Sequence, residues 1–288
     1  MIDSSSPAEP LFGTLAIAGV GLIGGSIAAA ARRNNVAGRV IGIGRTASRL
    51  EAAVDAGLID TGTTDPAVAA EADLAIVCTP VDRIVKDVRI LASVLGPGSL
   101  ITDAGSTKDS VCKALTDLDG ANGPAFIGSH PLAGSELQGF EHARADLFHG
   151  RLCVITPTEN ALPDHTARLE QFWHALGANV VSRTPELHDQ ALARTSHLPH
   201  LVAAAMAGSL QDSDAQFTAS GFRDTTRIAA GDPGLWVPIF SHNTTAILAA
   251  LDRLQAKLKE FSDSLQHHDT CALQKLLEEA KRNRDGLG

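Results

Sequence analysis

Two polar segments of the sequence carry side chains that suit proton and hydride chemistry. His130 lies in the segment 128–136 and Ser106 lies in the segment 103–108, each directly after a short apolar run. An imidazole titrates near neutrality, so His130 could accept the proton of a substrate hydroxyl while a hydride leaves for an acceptor. Ser106 could bridge the same hydroxyl and that acceptor. The competing interpretation of His130 is a capped histidine in a turn at the end of a strand.

A glycine-rich turn near the start of the chain indicates what would accept the hydride. Gly19, Gly21 and Gly24 fit the pattern G-x-G-x-x-G between an apolar run and a helical pattern. Such glycines allow a tight turn, a bare backbone beside pyrophosphate, and close contact between helix and strand, and the helix start then holds the phosphates. A purely structural turn is the alternative. The predicted cofactor contacts here and after the third main strand are Gly19, Gly21, Leu22, Ile23, Gly24, Thr79 and Pro80.

The residues after the second apolar run distinguish between the two dinucleotides. NAD sites usually offer a carboxylate at this point, but the chain has Arg45, Thr46 and Ser48, with no carboxylate before Glu51. A guanidinium can make paired hydrogen bonds to the extra phosphate of NADP, and hydroxyl groups can complete that pocket. We therefore predict that NADP is preferred over NAD. An arginine that only faces solvent would be the less specific interpretation.

These segments can meet only if strands and helices alternate. Runs that are apolar on both faces predict parallel strands covered by helices at 14–18, 39–43, 74–78, 99–102 and 125–128. Later runs at 152–155 and 178–181 flank a helical pattern over 163–176, and they predict one more strand, helix and strand in the same sheet. The predicted fold class is α/β, with a Rossmann-type, doubly wound and mostly parallel sheet over residues 11–184.

Beyond Pro185 the sequence shows no strand pattern. Apolar helical segments cover 186–211, 224–230, 233–263 and 268–283, with breaks at Gly221 and at 231–234. We predict an all-helical domain over residues 185–288 that binds substrate. Helices this apolar in a small domain need a partner surface, so we also predict a homodimer built mainly from this domain.

Length and composition exclude other classes of protein. The 288 residues suffice for about two domains, and the formal charge of -9 argues against a nucleic-acid-binding protein. The uncharged stretch 11–31 is as long as a membrane span, but its glycines favour a strand, a turn and a helix. Four widely separated cysteines indicate neither a zinc site nor a disulfide framework. We therefore expect a cytoplasmic protein without nucleic-acid or membrane partners.

Taken together, the motifs resemble the prephenate/arogenate dehydrogenase family of tyrosine biosynthesis. The resemblance extends from about residue 15 to 236 and rests on the glycine turn, DAGSTK at 103–108, GSHPLAG at 128–134, SHLPH at 196–200 and GFRDTTR at 221–227. It implies an oxidative decarboxylation, in which a hydride passes from the hydroxyl-bearing ring carbon to NAD(P)+ and loss of the ring carboxylate gives an aromatic product. The family pattern makes His130 the partner of the substrate hydroxyl and Ser106 its helper.

The resemblance also implies how the helical half binds substrate. Arg227 would hold a carboxylate and Glu136 would form an ionic gate with it, while His188 would belong to the wall of the pocket. Ser135, His197 and His200 would contact substrate as well. A substrate with two negative charges needs fixed cations in a protein of charge -9, and arginine suits a carboxylate best. His197 and His200 could instead bind a metal, but no obvious third ligand completes such a site.

The sequence leaves the choice of substrate open. An ammonium group would favour a nearby carboxylate, for which Glu136, Asp212 and Asp214 are candidates, whereas a keto acid would favour cations alone. Arg45 points towards arogenate, His200 points towards prephenate, and an enzyme that accepts both fits the same residues. Two other functions remain possible. A β-hydroxyacid dehydrogenase would normally use a lysine in its helical half, and 186–211 contains none. A regulator could bind NADP without turnover.

Overall fold

The first part of the chain forms a parallel six-stranded sheet in a computed structural model, which describes residues 9–135 and 137–287. Its strands are β1 (Phe12–Ala18), β2 (Ala37–Ile43), β3 (Thr61–Thr63), β4 (Leu74–Val77), β5 (Leu100–Asp103) and β6 (Ala125–Phe126). They lie in the order β3-β2-β1-β4-β5-β6, and every neighbouring pair is parallel. This is the Rossmann order, so the predicted fold class is confirmed.

Helices cover both faces of this sheet, as strands that are apolar on both sides require. They are α1 (Leu22–Arg33), α2 (Ala47–Asp55), α3 (Val81–Ala92) and α4 (Asp109–Ala114). Leu15 and Ile17 of β1 pack in one core with Ile27 of α1, whereas Ala16 packs in the opposite core with Ile84 of α3. The stretch that resembled a membrane span is thus a strand, a turn and most of a helix. Within the described residues, no helix is both long enough and apolar enough to cross a bilayer.

A second, three-stranded sheet follows the first. It contains β7 (Gly128–Pro131), β8 (Leu152–Thr156) and β9 (Asn179–Ser182), with α5 (Pro163–Ala175) between the last two. The prediction that the runs at 152–155 and 178–181 extend the first sheet is therefore wrong, and the predicted run 125–128 is divided between the two sheets. The chain leaves the first sheet at Ile127, and β7 then pairs antiparallel with β8, with His130 opposite Val154. Ser129 Oγ donates to the carbonyl of Asp103 at 2.5 Å, which joins the two sheets.

The described residues from Pro185 onwards form helices and turns, and the last strand ends at Ser182. The elements are α6 (Pro185–Leu192), a π-helical turn (Ala193–His197), α7 (Leu198–Gly208), α8 (Ser220–Thr226), α9 (Pro233–His242), α10 (Thr244–Gln266) and α11 (Thr270–Asp285). The predicted break at Gly221 is wrong, because this residue lies inside α8; the break comes earlier, in a 3-10 turn at Asp212–Phe217. Ile239 of α9 packs in the same core as Ile84, so the helical half is seated on the first sheet.

Candidate active site

A cleft of about 1960 Å³ lies between the carboxyl edge of the first sheet and the helical half. It brings together most of the residues that the sequence singles out. Those on its wall are Gly19, Gly21, Leu22, Ile23, Arg45, Thr46, Thr79, Pro80, Ser106, His130, Ser135, His197, His200 and Arg227. Gly24, Ser48 and His188 are not on the wall, and Glu136 lies outside the described residues.

The glycine turn at one end of the cleft fits a dinucleotide. Gly19 has a φ of +97°, and a Cβ added to Gly24 would lie 2.2 Å from the carbonyl oxygen of Gly19. Gly24 therefore lets α1 pack on the turn rather than contacting a ligand itself. Around Gly21, by contrast, an added Cβ would meet no atom within 4 Å, and α1 begins there without a side-chain cap. Its first N–H groups are left for an anion.

Two further features at this end indicate what the cofactor contacts. The hydroxyl oxygen of Thr79 is buried on the cleft wall and makes no hydrogen bond to any described residue, so a ligand could satisfy it. Arg45 and Thr46 border the cleft at the end of β2, while Ser48 is exposed and off the wall. Arg49, which the sequence reading missed, lines the cleft with its guanidinium 5.9 Å from the ring centre of Phe140. Its spacing of four residues from Arg45 at a helix start was the available signal.

His130 is the second-to-last residue of β7, and only 9% of its surface is exposed. Its Nδ1 lies 2.9 Å from Nε2 of His188. Burial lowers the pKa of His130 well below its ordinary value, and the neighbouring His188, Lys108 and His197 lower it further. The imidazole is therefore neutral near physiological pH and can accept a proton.

His188 lies behind His130 instead of on the cleft wall where the resemblance placed it. Its side chain is completely buried, and its Nδ1 is 2.7 Å from a carboxylate oxygen of Asp189. The reason is the position of α6, which packs against β8 and turns residues 188 and 189 towards the interior. The contact of His188 is consequently with the ring of His130.

A buried ion pair holds the Ser106 segment against β7. The Lys108 ammonium donates to the Asp103 carboxylate, and both side chains are fully buried. The same carboxylate accepts the backbone N–H of Gly105 at 2.9 Å and that of Ser129 at 3.2 Å. These contacts fix the backbone on either side of Ser106 relative to the strand that carries His130. The sequence motif at 103–108 does not by itself indicate a role for Asp103 or Lys108, because burial of a charged pair leaves no signal in the apolar pattern.

The helical side of the cleft presents two histidines in different settings. His197 Nδ1 lies 3.1 Å from Nδ2 of Asn243, and burial lowers its pKa to about 4. The ring of His200 stacks on Trp236 at 3.6 Å, with the planes 17° apart, and its Nδ1 is buried without a described partner. The described part of the chain contains no cluster of potential metal ligands around them. Trp236 is a wall residue that the sequence reading did not select.

Arg227 and Ser135 complete the described wall. Arg227 is exposed at the end of α8, and none of the described carboxylates forms an ion pair with it. Ser135 is also exposed, and its Oγ accepts the backbone N–H of Leu137 at 3.2 Å. The wall of the cleft thus carries the glycine turn, His130 and an arginine that pairs with no described carboxylate.

A Rossmann sheet, an open phosphate-binding turn and a neutral histidine on one cleft define a nicotinamide-dependent dehydrogenase. Residues 27–182 match the family model for the nucleotide-binding domain of prephenate dehydrogenase, and residues 184–279 match the model for its dimerization domain. The chain belongs to the prephenate dehydrogenase family, which confirms the resemblance and makes it an oxidoreductase of tyrosine biosynthesis.

Individual relatives are similar to this chain over nearly its whole length. Prephenate dehydrogenase of Bacillus subtilis is 34% identical over 95% of this chain and 76% of its own length. Cyclohexadienyl dehydrogenase of Zymomonas mobilis is 32% identical over 96% of this chain and 97% of its own length. Among solved structures, A. aeolicus prephenate dehydrogenase, in complex with hydroxyphenyl propionate and NAD+, has a TM-score of 0.89 at 30% identity and covers 99% of this chain and 100% of its own. Synechocystis arogenate dehydrogenase has a TM-score of 0.83 at 31% identity and covers 96% of this chain and 100% of its own.

The alternative of a β-hydroxyacid dehydrogenase has only the fold in its favour. A 3-hydroxyisobutyrate dehydrogenase from Mycobacterium tuberculosis superposes with a TM-score of 0.53 but is 14% identical and covers 76% of this chain and 72% of its own. Such a likeness reports the shared arrangement of sheet and helices and carries no information on the substrate.

Proposed function

We propose that the chain catalyses the NADP-dependent oxidative decarboxylation of arogenate, prephenate or both, giving tyrosine or 4-hydroxyphenylpyruvate. The observation that supports this most strongly is that the glycine turn, the neutral and buried His130, and the exposed Arg227 all line one cleft. A ring alcohol that also carries carboxylates, together with a dinucleotide, matches this set of groups: an anion site, a proton acceptor and a carboxylate site.

In this proposal His130 accepts the hydroxyl proton of the ring and returns it to the phenol oxygen of the product. Ser106, on the same wall, donates or accepts a hydrogen bond at that hydroxyl and keeps it directed at the imidazole. The chemistry that an oxidised nicotinamide supplies when bound is acceptance of the hydride from the hydroxyl-bearing carbon. Carbon dioxide leaves with formation of the aromatic ring, so the protein need only position the ring and remove the proton.

We assign the carboxylate end to the helical side of the cleft. In this assignment Arg227 binds a carboxylate of the substrate, and His197 and Ser135 contact other polar groups of the substrate. The ring of His200, which is stacked on Trp236, faces the substrate. Asp212 and Asp214 do not line the cleft, so they are not candidates for the ammonium of arogenate. Asp232 does line it, with Oδ1 accepting the N–H of Gly234 at 2.8 Å.

Replacing Arg227 by alanine should raise KM for the ring substrate at least about tenfold, with a smaller effect on kcat. The substitution deletes a charged hydrogen bond of about 1.5–3 kcal/mol that forms on binding and persists in the transition state. Steady-state kinetics at saturating cofactor measure it. Arg223→Ala is the matched control, because Arg223 lies four residues earlier and off the cleft wall. Equal effects of the two substitutions would count against a carboxylate contact at Arg227.

The cofactor preference rests on the cations beside the end of β2. Arg45→Ala should lower kcat/KM for NADP+ about tenfold or more and leave the value for NAD+ nearly unchanged, because only NADP+ has the additional phosphate. The wild-type chain should use NADP+ far better than NAD+. The measurement is kcat/KM with each dinucleotide, and equal efficiency with both would refute the preference.

The function itself is tested by following reduction of NADP+ with prephenate and with arogenate in separate reactions. We expect turnover of at least one of them, and a protein that accepts both would be a cyclohexadienyl dehydrogenase. Absence of reduction with either substrate, despite measurable binding of NADP+, would identify a non-catalytic NADP-binding regulator instead.

We also propose a cytoplasmic homodimer formed by the helical domain. Among the described residues of this domain, the separate cluster of buried apolar residues is small and consists of Ala193, Ile247 and Ala250. Several long apolar side chains of the last helices are instead exposed, including Leu248, Leu258, Leu265 and Leu277. Burial of such side chains against a second copy would stabilise the domain. Light scattering should give a mass twice 30.0 kDa, and a monomer at micromolar concentration would contradict the proposal.

A further inference from the structure

The carboxylate of Asp189 lies where the helical half meets the two sheets. Its Oδ1 accepts from Nδ1 of His188 at 2.7 Å and from the backbone N–H of Lys108 at 2.8 Å. Its Oδ2 accepts the backbone N–H of Asp109 at 3.0 Å. Only 3% of the surface of Asp189 is exposed, so these three donors replace its contacts with water.

With an ionised Asp189 and a single proton on His188, the direction of each hydrogen bond follows from this arrangement. An ionised carboxylate only accepts, so Nδ1 of His188 must carry the proton. A neutral imidazole has one N–H, which leaves Nε2 of His188 as an acceptor. Nδ1 of His130, 2.9 Å away, must then donate to it. The remaining nitrogen of His130, Nε2, is left without a proton.

We propose that Asp189 and His188 are positioning residues that hold His130 in the tautomer whose unprotonated Nε2 is available to the cleft. The inference rests on the proposed role of His130 as the proton acceptor. The opposite tautomer would present an N–H to the ring hydroxyl and could not accept its proton. Asp189 also clamps the backbone at Lys108 and Asp109, so one carboxylate sets both the tautomer and the position of the segment that follows Ser106.

Charged and titratable groups around His130 come from three elements. His188 faces it from α6, Lys108 from the segment after β5, where it pairs with Asp103, and His197 from the π-helical turn. Because burial and these neighbours disfavour a second proton on the ring, His130 remains neutral around pH 6.5, the ordinary pKa of histidine. The tautomer, rather than the charge, then decides whether the ring can act as a base.

Asp189→Asn tests the first link of this chain. An amide has one acceptor oxygen and one donor group, so it cannot accept from His188, Lys108 and Asp109 in the way that two carboxylate oxygens do. An amide N–H facing His188 would reverse both imidazoles. We expect kcat to fall about 10²- to 10⁴-fold, the range for loss of an acting base or of its correct tautomer. KM for the substrate and the Kd for NADP+ should change less than about threefold.

Variants of His188 separate the tautomer effect from the backbone clamp. His188→Leu leaves Asp189 free to hold Lys108 and Asp109 but removes the acceptor for His130, and it should lose kcat to a similar extent. His188→Gln restores an acceptor oxygen and should recover at least about tenfold of that loss. The double variant that combines His188→Leu with Asp189→Asn should lose no more kcat than the worse of the two single variants, because both substitutions act through the ring of His130. Asp73→Asn is the control for replacing a carboxylate by an amide. The wild-type Asp73 carboxylate accepts the backbone N–H of Thr14 at 2.9 Å and does not line the cleft.

The decisive readout is independent of turnover. Side-chain ¹⁵N NMR of the full chain near neutral pH reports the tautomer of His130, with the signal assigned by its absence in His130→Asn. We expect N–H at Nδ1 in the wild type and at Nε2 in Asp189→Asn. A wild-type ring protonated at Nε2, or an unchanged tautomer in an inactive Asp189→Asn, would overturn the proposal. If neither ring substrate were turned over, the proposed function would fail while the tautomer result would stand by itself.

Discussion

Replacing His130 by asparagine is expected to lower kcat at least about a hundredfold, the usual contribution of a positioned general base. An amide has no basic nitrogen, so the hydroxyl proton would have to leave without a partner. His130 lies on a strand whose backbone is fixed by β8, so the substitution should leave the cleft intact. Binding of NADP+, measured by fluorescence titration, should remain within about twofold of the wild type.

The pH dependence of kcat provides a second view of the same group. The active form of His130 is the neutral one, and its pKa is lowered in the folded protein. As pH falls, kcat should therefore hold through 6.5, the ordinary value for histidine, and decline only below it. Near-normal turnover of His130→Asn would remove this imidazole from the mechanism.

Lys108→Met is expected to destabilise the fold by about 3–5 kcal/mol, because it leaves a buried carboxylate without its cation. Asp103 has no exposure to water, so solvent cannot replace the ammonium. Its two backbone donors, at Gly105 and Ser129, compensate only part of the charge. The free energy of unfolding from urea denaturation measures the effect.

The control for this variant is Lys113→Met. Lys113 pairs with Asp109 at 2.8 Å, but 63% of its side chain is exposed. An exposed pair of this kind contributes little to stability, because water screens both charges. A loss for Lys108→Met no larger than that for Lys113→Met would show that the buried pair is not needed to hold the Ser106 segment.

The fold was largely predictable because parallel strands covered on both sides are apolar throughout. The runs around Ile17, Ile41 and Ile76 are short, continuous and separated by helical patterns, which is enough to indicate a Rossmann sheet. A continuous apolar run indicates that a strand is buried, but it does not indicate which other strand it pairs with. That is why the runs at 152–155 and 178–181 are predicted in the first sheet, although they form β8 and β9 in a second sheet, where His130 pairs with Val154.

The site was predictable where a residue type has one dominant use at a given place in the fold. Gly19 and Arg45 follow strands at the carboxyl edge of the first sheet, His130 comes on β7 soon after β6 ends, and all three reach the cleft. Residues that act through others left no such signal. Asp189 is one acidic residue among many in the sequence, and only the contacts with His188 and two backbone amides reveal what it does.

The most direct test of the account is a crystal structure of the chain with NADP+ and an unreactive analogue of the ring alcohol bound together. The account predicts that Nε2 of His130 lies within about 2.6–3.2 Å of the ring hydroxyl, with Arg227 on a carboxylate of the same molecule. A complex in which that nitrogen is beyond hydrogen-bonding distance, with another side chain or only water on the hydroxyl, would contradict it.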